Sequence, residues 1–355
     1  VAMLLVHVCN AITGAPIDRI PVSAYSYSRL LSAGDSGGSV TIPLDGTISK
    51  AQVRSLASPW SRLMLIERDG AVEYIGYSQG STYTRGSQTL TVKLADIWAL
   101  FNRRGAWDHT AGNVELWKET VVGNRAYQAA SAIERGRNGP ALPAMGLPLT
   151  LPGGYAGPSV TRTYYGYNVE TVGDVLADLL AEGLDIYFRP RWSGGQADWL
   201  FQAASDWSSG AVREFVVSAK NSPVTGFSET SDAARVTNNA RYIGEGSEVD
   251  MLVRSERNVA SPYPLLDRVT NTKHISNVAQ LSSLSAQDLV SYGSPTVQWD
   301  FSVSADTPVD VGDTARLHFD GDPWVIDGWY NRRVVKVSGD QSDQKKISVQ
   351  PTGGA

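Results

Sequence analysis

Gly34-Asp35-Ser36-Gly37-Gly38 has the form of a serine-protease nucleophile loop. That chemistry needs an imidazole base held by a buried carboxylate. The only histidine before Ser36 is His7, 29 residues away, which leaves no room for the barrel that carries the base in such enzymes. Ser39 also stands where a proline is expected. A glycine-rich turn between strands accounts for the same residues. The four histidines, His7, His109, His274 and His318, are scattered. None lies in an H-E-x-x-H or close to a thiol, so no zinc site is signalled. His7 and His318 fall on strands and are expected to face outward or to bond a backbone carbonyl. Asp108-His109 reads as an exposed turn. Asp320 and Asp322 could hold a cation, but a calcium loop needs more ligands at set spacing, so a plain turn is the expectation.

There is no G-x-x-x-x-G-K and no G-x-G-x-x-G in the chain. Glycosidase carboxylates come from distant strands and leave no local pattern, so that chemistry stays open. Trp192, Trp199, Trp207, Trp324 and Trp329 could stack on sugar rings, although aromatics in β proteins more often fill cores and interfaces. No catalytic, cofactor-binding or metal-ligating residue is assigned.

The elements that would position any such site are mostly strands. The 355 residues suffice for two or more compact units. The composition, 42% hydrophobic and 19% charged, is that of a globular chain and not a disordered one. A net charge of -5 gives no electrostatic reason to bind nucleic acid or an anionic membrane. The 34 Gly, 15 Tyr and 10 Trp suit a turn-rich β protein with broad flat contacts. A single cysteine, Cys9, excludes an internal disulfide and reads as a small buried hydrophobe. The opening VAMLLVHVC reads as a strand, not a signal peptide or membrane helix, and no other apolar run reaches eighteen residues. Synthesis in the cytoplasm without secretion is expected.

Residues 1–105 read as all-β, with strands at 4–8, 22–28, 39–44, 63–67, 72–77 and 90–94 and short helices at 47–56 and 96–104. Residues 106–205 form an inserted α+β domain. Helices are expected at 121–135 and 171–182, the second with a Thr171/Asp174 capping box, followed by strands at 184–190 and 199–203. The intervening 139–158, with five prolines and five glycines, reads as an extended arm or surface loop. Residues 206–250 begin a second β unit, with a strand at 212–218 and pairing of 235–246 with 249–256. Residues 251–295 connect onward through a helix at 276–292, expected to break near Ser285 and to turn Val278, Leu281, Leu284, Leu289 and Val290 inward. Residues 296–355 complete the second unit.

The two β regions share a layout. Leu65 to Gly76 spans eleven positions, as does Leu317 to Gly328, with a Gly-Asp or Asp-Gly turn inside each. Alternating final strands follow, LTVKL at 90–94 and KISVQ at 346–350. In this alignment Trp324 and Ile326 open a strand. The fold class is therefore mainly β with inserted α+β: two related antiparallel β-barrels, a small α+β module and a helical insertion. Chance likeness of two meanders is the alternative.

Several segments carry a family resemblance: SRLMLIERDGAVEYIGYSQG, QTLTVKLADIWALFNRR, TVGDVLADLLAEGLDIYFRP, SAQDLV and VDVGDTARLHFDGDPWVIDGWYNRRVVKVSGD. In this order the chain resembles the tail hub family of long-tailed bacteriophages, the baseplate hub or minor tail proteins. The resemblance implies a structural, non-enzymatic virion protein at the tail tip. It implies a homotrimeric ring that adapts the sixfold tail tube to a threefold tip and lines the DNA exit channel. The implied partners are further copies of the chain, the distal tail protein, the tape-measure protein and other tail-tip proteins. DNA would pass through without specific nucleic-acid recognition, and no cofactor is implied. A glycan-active enzyme, a glycan-binding module of the tip, and a distal tail protein are the alternatives.

Overall fold

The structure is a computed structural model that describes residues 3–32, 36–109, 112–138, 146–272 and 275–351. His274, Gly34 and Asp35, and residues 139–145 of the Pro/Gly stretch lie outside the described residues. The chain forms two compact units. Unit 1 comprises Val1–Ser209, Ser304–Gly312 and Val335–Lys346; unit 2 comprises Gly210–Val303, Asp313–Val334 and Ile347–Ala355.

Unit 1 opens with a sheet of β1 (Leu4–Asn10), β2 (Pro16–Ile20), β3 (Ala24–Leu30), β4 (Gly37–Pro43), β5 (Arg62–Arg68), β6 (Ala71–Thr84) and β7 (Thr89–Ala95). The ladders run in the order β3-β4-β7-β6-β5-β1-β2, all antiparallel. Sequence patterning misses β2 because Pro16 heads it and only Ile20 in it is buried. Helix α1 (Lys50–Leu56) is capped by Ser49, and α2 (Ile97–Phe101) by Asp96, whose carboxylate accepts from the Ala99 amide.

Leu63, Met64, Leu65 and Ile66 of β5 are each 0% exposed, because both sheet faces are covered. Met64 and Ile66 pack with Val6, Val8, Val40 and Ile42. Leu63 and Leu65 pack with Cys9, Ile75 and Tyr77 on the other face, against the α+β module. Each such side chain contributes roughly 1.5–3 kcal/mol on burial.

The module holds β8 (Lys118–Gly123), α3 (Arg125–Asn138), β9 (Leu149–Thr150), β10 (Val160–Tyr165), α4 (Val172–Ala181), β11 (Asp185–Ser193) and β12 (Gln196–Ala204). The helix expected at 121–135 is in fact a strand and then a helix. Val121 and Val122 pair with Arg162 and Thr161 in the β8–β10 ladder. Asn124 then caps α3 by accepting from the Tyr127 amide at 2.8 Å. The Thr171/Asp174 capping box is formed, and Gly183 follows the end of α4 at φ +86°, a conformation other residues resist.

Unit 2 contains β13 (Val212–Val216), β14 (Thr225–Asp232), β15 (Asn239–Ile243), β16 (Val253–Arg257), β17 (Asp267–Asn271), α5 (Val278–Tyr292), β18 (Thr296–Ser304), β19 (Thr314–Phe319), β20 (Gly328–Asp340) and β21 (Gln344–Pro351). Residues 335–346, the tip of the β20–β21 hairpin, belong to unit 1, where Lys336 to Asp340 pair with Leu30 to Ser26 of β3. The core strands of unit 2 follow the order β14-β18-β21-β20-β19-β13. In chain order this repeats β3-β4-β7-β6-β5-β1, with β15–β17 and α5 inserted between the second and third strands.

The repeat has two departures from the sequence reading. The β13–β19 pairing is parallel, whereas β1–β5 is antiparallel. In unit 1, β2 reverses the chain after β1 and so runs the same way as β5. With no second strand there among the described residues, β13 takes the place of β1 but the direction of β2. The eleven-position match is also out of register. Leu65 faces Ile75, but Leu317 faces Tyr330, because residues 320–327 form a loop and β20 starts only at Gly328.

The helix α5 is continuous through Ser285, whose hydroxyl bonds the Leu281 carbonyl at 3.0 Å. Its buried residues are Leu281, Ser285 and Asp288, while Val290 is 71% exposed. The inward set expected from apolar spacing is therefore wrong in part. Asp288 faces inward because Arg268 meets it at 3.2 Å.

Candidate functional site

Ser36 ends the connection from β3 to β4, and Gly37 and Gly38 are ladder residues of β4. A Cβ on Gly38 would come 2.7 Å from the Ser26 carbonyl oxygen, so close strand approach explains that glycine. Beside Ser36 lies a cavity of about 30 Å³, lined also by Arg29, Tyr74, Asp96 and Tyr187. It has room for about one water. Burial pushes the Asp96 carboxyl up to about 7, against hydrogen bonds from the Ala99 and Trp98 amides. No described histidine lines this cavity, so the imidazole relay of a serine hydrolase has no parts there.

The other predicted residues are dispersed. His7 is buried, against the outward-facing expectation. Its ring lies 3.4 Å from the Glu67 carboxylate and edge-on to Trp192 at 5.1 Å, and burial holds its pKa below the usual value. His109 meets the Gly105 carbonyl at 3.2 Å. His318 lies against Trp329 at 4.7 Å. Asp322 caps a turn, accepting from the Trp324 and Val325 amides at 2.8 Å each, and these bonds hold its pKa low. Among the described residues, no group of three or more histidine, cysteine or acidic side chains could hold a metal. Trp199 is buried and stacks on Tyr77 at 5.5 Å, and Trp207 sits tilted on Tyr187 at 5.5 Å. The Trp192 indole donates to Glu67 at 2.7 Å. Trp324 and Trp329 are exposed.

Two features stand out that motif reading missed. The first is an ionic network buried in unit 1. Arg29 pairs with Asp310 at 2.9 Å and with Glu73 at 3.6 Å. Tyr187 donates to Asp310 at 3.0 Å, and Tyr27 donates to Glu73 at 2.7 Å. Burial alone would lower the Arg29 pKa, but Asp310, Tyr187 and Glu73 hold it above the ordinary value. Burial raises both tyrosines. The network ties β3, β6 and β11 to the returning segment 304–312, four stretches far apart in sequence. A signal existed: Tyr25, Tyr27 and Arg29 share one strand face by the period of two.

The second feature is the loop 320–327 of unit 2, which presents Trp324 at 76% and Ile326 at 80% exposure. It is fastened at both ends. Asp327 accepts from the Gly321 amide at 2.7 Å, and the Tyr330 hydroxyl donates to the Ile326 carbonyl at 2.7 Å. Beside it, the outward face of β13, β19 and β20 carries Val216, His318 and Trp329 in register. Among the described residues β13 has no second ladder, so it is an edge strand.

Repeated strand order, an inserted α+β module and exposed aromatics can be compared with known proteins. No family model and no curated protein sequence matches the chain. Solved structures do. The 43 kDa tail protein of prophage MuSo2 from Shewanella oneidensis is similar at a TM-score of 0.63 and 10% identity, covering 99% of both chains. The fold is that of phage tail proteins. A tail protein from Neisseria meningitidis MC58 is similar at 0.60 and 14% identity, over 99% of this chain and 97% of that one. Prophage tail protein gp18 from Listeria monocytogenes EGD-e follows at 0.56 and 9%, over 98% and 94%. The tail-protein fold thus extends over nearly the whole chain, including the inserted segments. No helix among the described residues is long and apolar enough to cross a membrane.

Proposed function

We propose that this chain is a non-enzymatic tail-tip hub of a long-tailed phage. Three copies form a ring that adapts the sixfold tail tube to a threefold tip and lines the DNA exit channel. The observation that carries this reading is the strand order repeated within one polypeptide. A subunit with two like sheets, used three times, offers six near-equivalent docking faces and closes as a heterologous ring. The distal tail protein meets the six faces, and the tape-measure protein and other tip proteins meet the remainder. The inserted segment 106–205 serves as a buttress, since its core is continuous with one face of the first sheet. The protein resides in the virion tail tip after synthesis in the host cytoplasm.

The test is mass in solution together with a reconstruction of the tail tip. A trimer seated at the tip is expected; a stable monomer absent from the tip overturns the reading. A glycan-binding role has one observation in its favour, an open groove of about 510 Å³ lined by Trp192, Glu67, Asp18 and Arg19. Calorimetric titration with host cell-wall fragments decides it, and absence of heat ends that alternative.

A further inference from the structure

We propose that the far end of β6 is a joint between copies of this chain. Residues 79–84 add as an antiparallel strand to the open edge of β14 in the neighbouring copy. This deepens the ring reading above and rests on it.

The joint has a template inside the chain. In the repeated strand order β20 holds the place of β6, and β14 holds the place of β3. β20 runs beside β19 from Gly328 to Arg333 and then outlasts it. Its far part, Lys336 to Asp340, belongs to unit 1 and pairs there with Leu30 to Ser26 of β3. β6 is built the same way. It runs beside β5 from Ala71 to Tyr77, passes an irregularity between Ser78 and Gly80, and outlasts β5 up to Thr84. Among the described residues that far part pairs only with β7, so its second edge is open. β14 has the complementary gap. It pairs with β18 on one edge, as β3 pairs with β4, and among the described residues has no ladder on the edge that β3 gives to β20. One extension is thus seated on its strand within the chain. The like extension and the like strand are both left open, and a second copy supplies each with its partner.

Side-chain chemistry separates these two edges from the others. β2 is headed by Pro16 and carries Asp18 and Arg19, and β13 carries Arg213 and Glu214, devices that keep an edge from pairing. Residues 79–84, QGSTYT, contain neither proline nor charge, and Thr82, Tyr83 and Thr84 favour strands. β14 has no proline and no lysine. Its acids are already engaged: Glu229 accepts from the Trp299 and Trp324 indoles, and Asp232 accepts from the Ala234 amide. The template also gives the register. Buried Tyr25 and Tyr27 of β3 correspond to Phe227 and Glu229, the residues of β14 that are not fully exposed. With 80–84 standing for 336–340, Thr82 faces Thr230 as Ser338 faces Ser28, and Tyr83 faces Glu229 as Gly339 faces Tyr27. Tyr83 is 56% exposed although it stands opposite the half-buried Leu90, and the added strand covers it. Main-chain bonds carry such strand addition. The two edges are unlike surfaces, so the contact is head-to-tail, the kind that generates rings, and closure removes both open edges.

The single cysteine, Cys9, is buried, which leaves a clean background for cross-linking. Thr82 and Thr230 are both exposed, so Thr82→Cys and Thr230→Cys together in one chain should oxidise to covalent rings. Each single variant should stay unlinked. Tyr83→Asp sets a carboxylate against Glu229 of the next copy and should weaken self-association by about tenfold or more in sedimentation, with an unchanged circular dichroism spectrum. Tyr83→Phe should associate as the parent does. Failure to cross-link in a protein that still forms rings overturns this inference and leaves the ring reading intact, and so does unchanged association of Tyr83→Asp. A parent chain that stays monomeric overturns both.

Discussion

The strands β5 and β19 hold the same place in the two repeated orders and are packed in opposite ways. In β5, four consecutive side chains from Leu63 to Ile66 are buried. In β19, Ala315, Leu317 and Phe319 are buried while Arg316, His318 and Thr314 are partly exposed between them. The covered second face of β5 belongs to the inserted module. The uncovered face of β19 carries Arg316, which lies over Trp329 at 4.4 Å and faces Glu214 in the neighbouring strand. Strand order therefore survives a change in what covers the sheet. What changes is the cover: both faces of β5 are buried, whereas one face of β19 stays partly exposed.

The largest expected effect tests the ionic network around Arg29 in unit 1. Arg29→Met removes the buried cation that Asp310 and Glu73 share, although Arg189 still meets Asp310 at 3.4 Å. A loss of about 3–5 kcal/mol is expected, read as a lower denaturant midpoint. The replacement of Arg332, which lies over Trp299 at 4.1 Å in unit 2, should cost far less, because the Glu229 carboxylate that acts on it is only partly buried and also accepts from two indoles. Equal losses would erase the contrast between the units. The β5/β19 difference is sharpened by a matched pair. Ile66→Ala should cost about 2–5 kcal/mol, and His318→Ala should stay within about 0.5 kcal/mol.

Much of this contrast was legible in the chain and part of it was not. The run LMLI in β5 signals burial on both faces, and the alternation of ARLHF in β19 signals burial on one. The capping box of α4 and the strand–turn–strand of β11 and β12 follow local rules, so residues alone fix them. The parallel β13–β19 pairing is non-local and leaves no spacing signature. In 320–327, Trp324 and Ile326 alternate as strand residues do, yet the segment is a loop. Its hydrogen bonds to Asp322, Asp327 and Tyr330 override that pattern. In α5 an Arg268–Asp288 pair turns a polar stripe inward, which apolar spacing cannot show. Arg29 is inside because its face is, and charge alone argues the reverse.

Acidity separates the units next. Burial raises the Asp96 carboxyl in unit 1 from 3.8 to about 7. The folded state then binds this proton more tightly than the unfolded chain. Its contribution is complete below about 3.8 and is lost as pH rises through about 7. Asp96→Asn keeps an acceptor for the Ala99 amide and removes the titration. Its stability should change less than the parent's across that window, and it should be the more stable at pH about 8, by on the order of 1–3 kcal/mol. A parallel pH profile in both proteins would refute the burial argument. Smaller still, Thr171→Ala deletes half of the α4 capping box and should cost about 1 kcal/mol, seen as a modest drop in the melting temperature.

The smallest expected change in folding is also the most informative about unit 2. Trp324→Ala removes an exposed ring whose only polar bond is to Glu229, and that carboxylate keeps its bond from Trp299. The stability of the isolated chain should move by no more than about 0.5 kcal/mol. A side chain of that size held at 76% exposure contributes little to the fold that presents it. If the chain instead lost several kcal/mol, Trp324 would be a core residue of unit 2, and the open face would be an extension of its interior. If folding is untouched while self-association falls, the energy of that indole is spent outside the chain. The asymmetry between the two sheets would then be the difference between a scaffold and a contact surface.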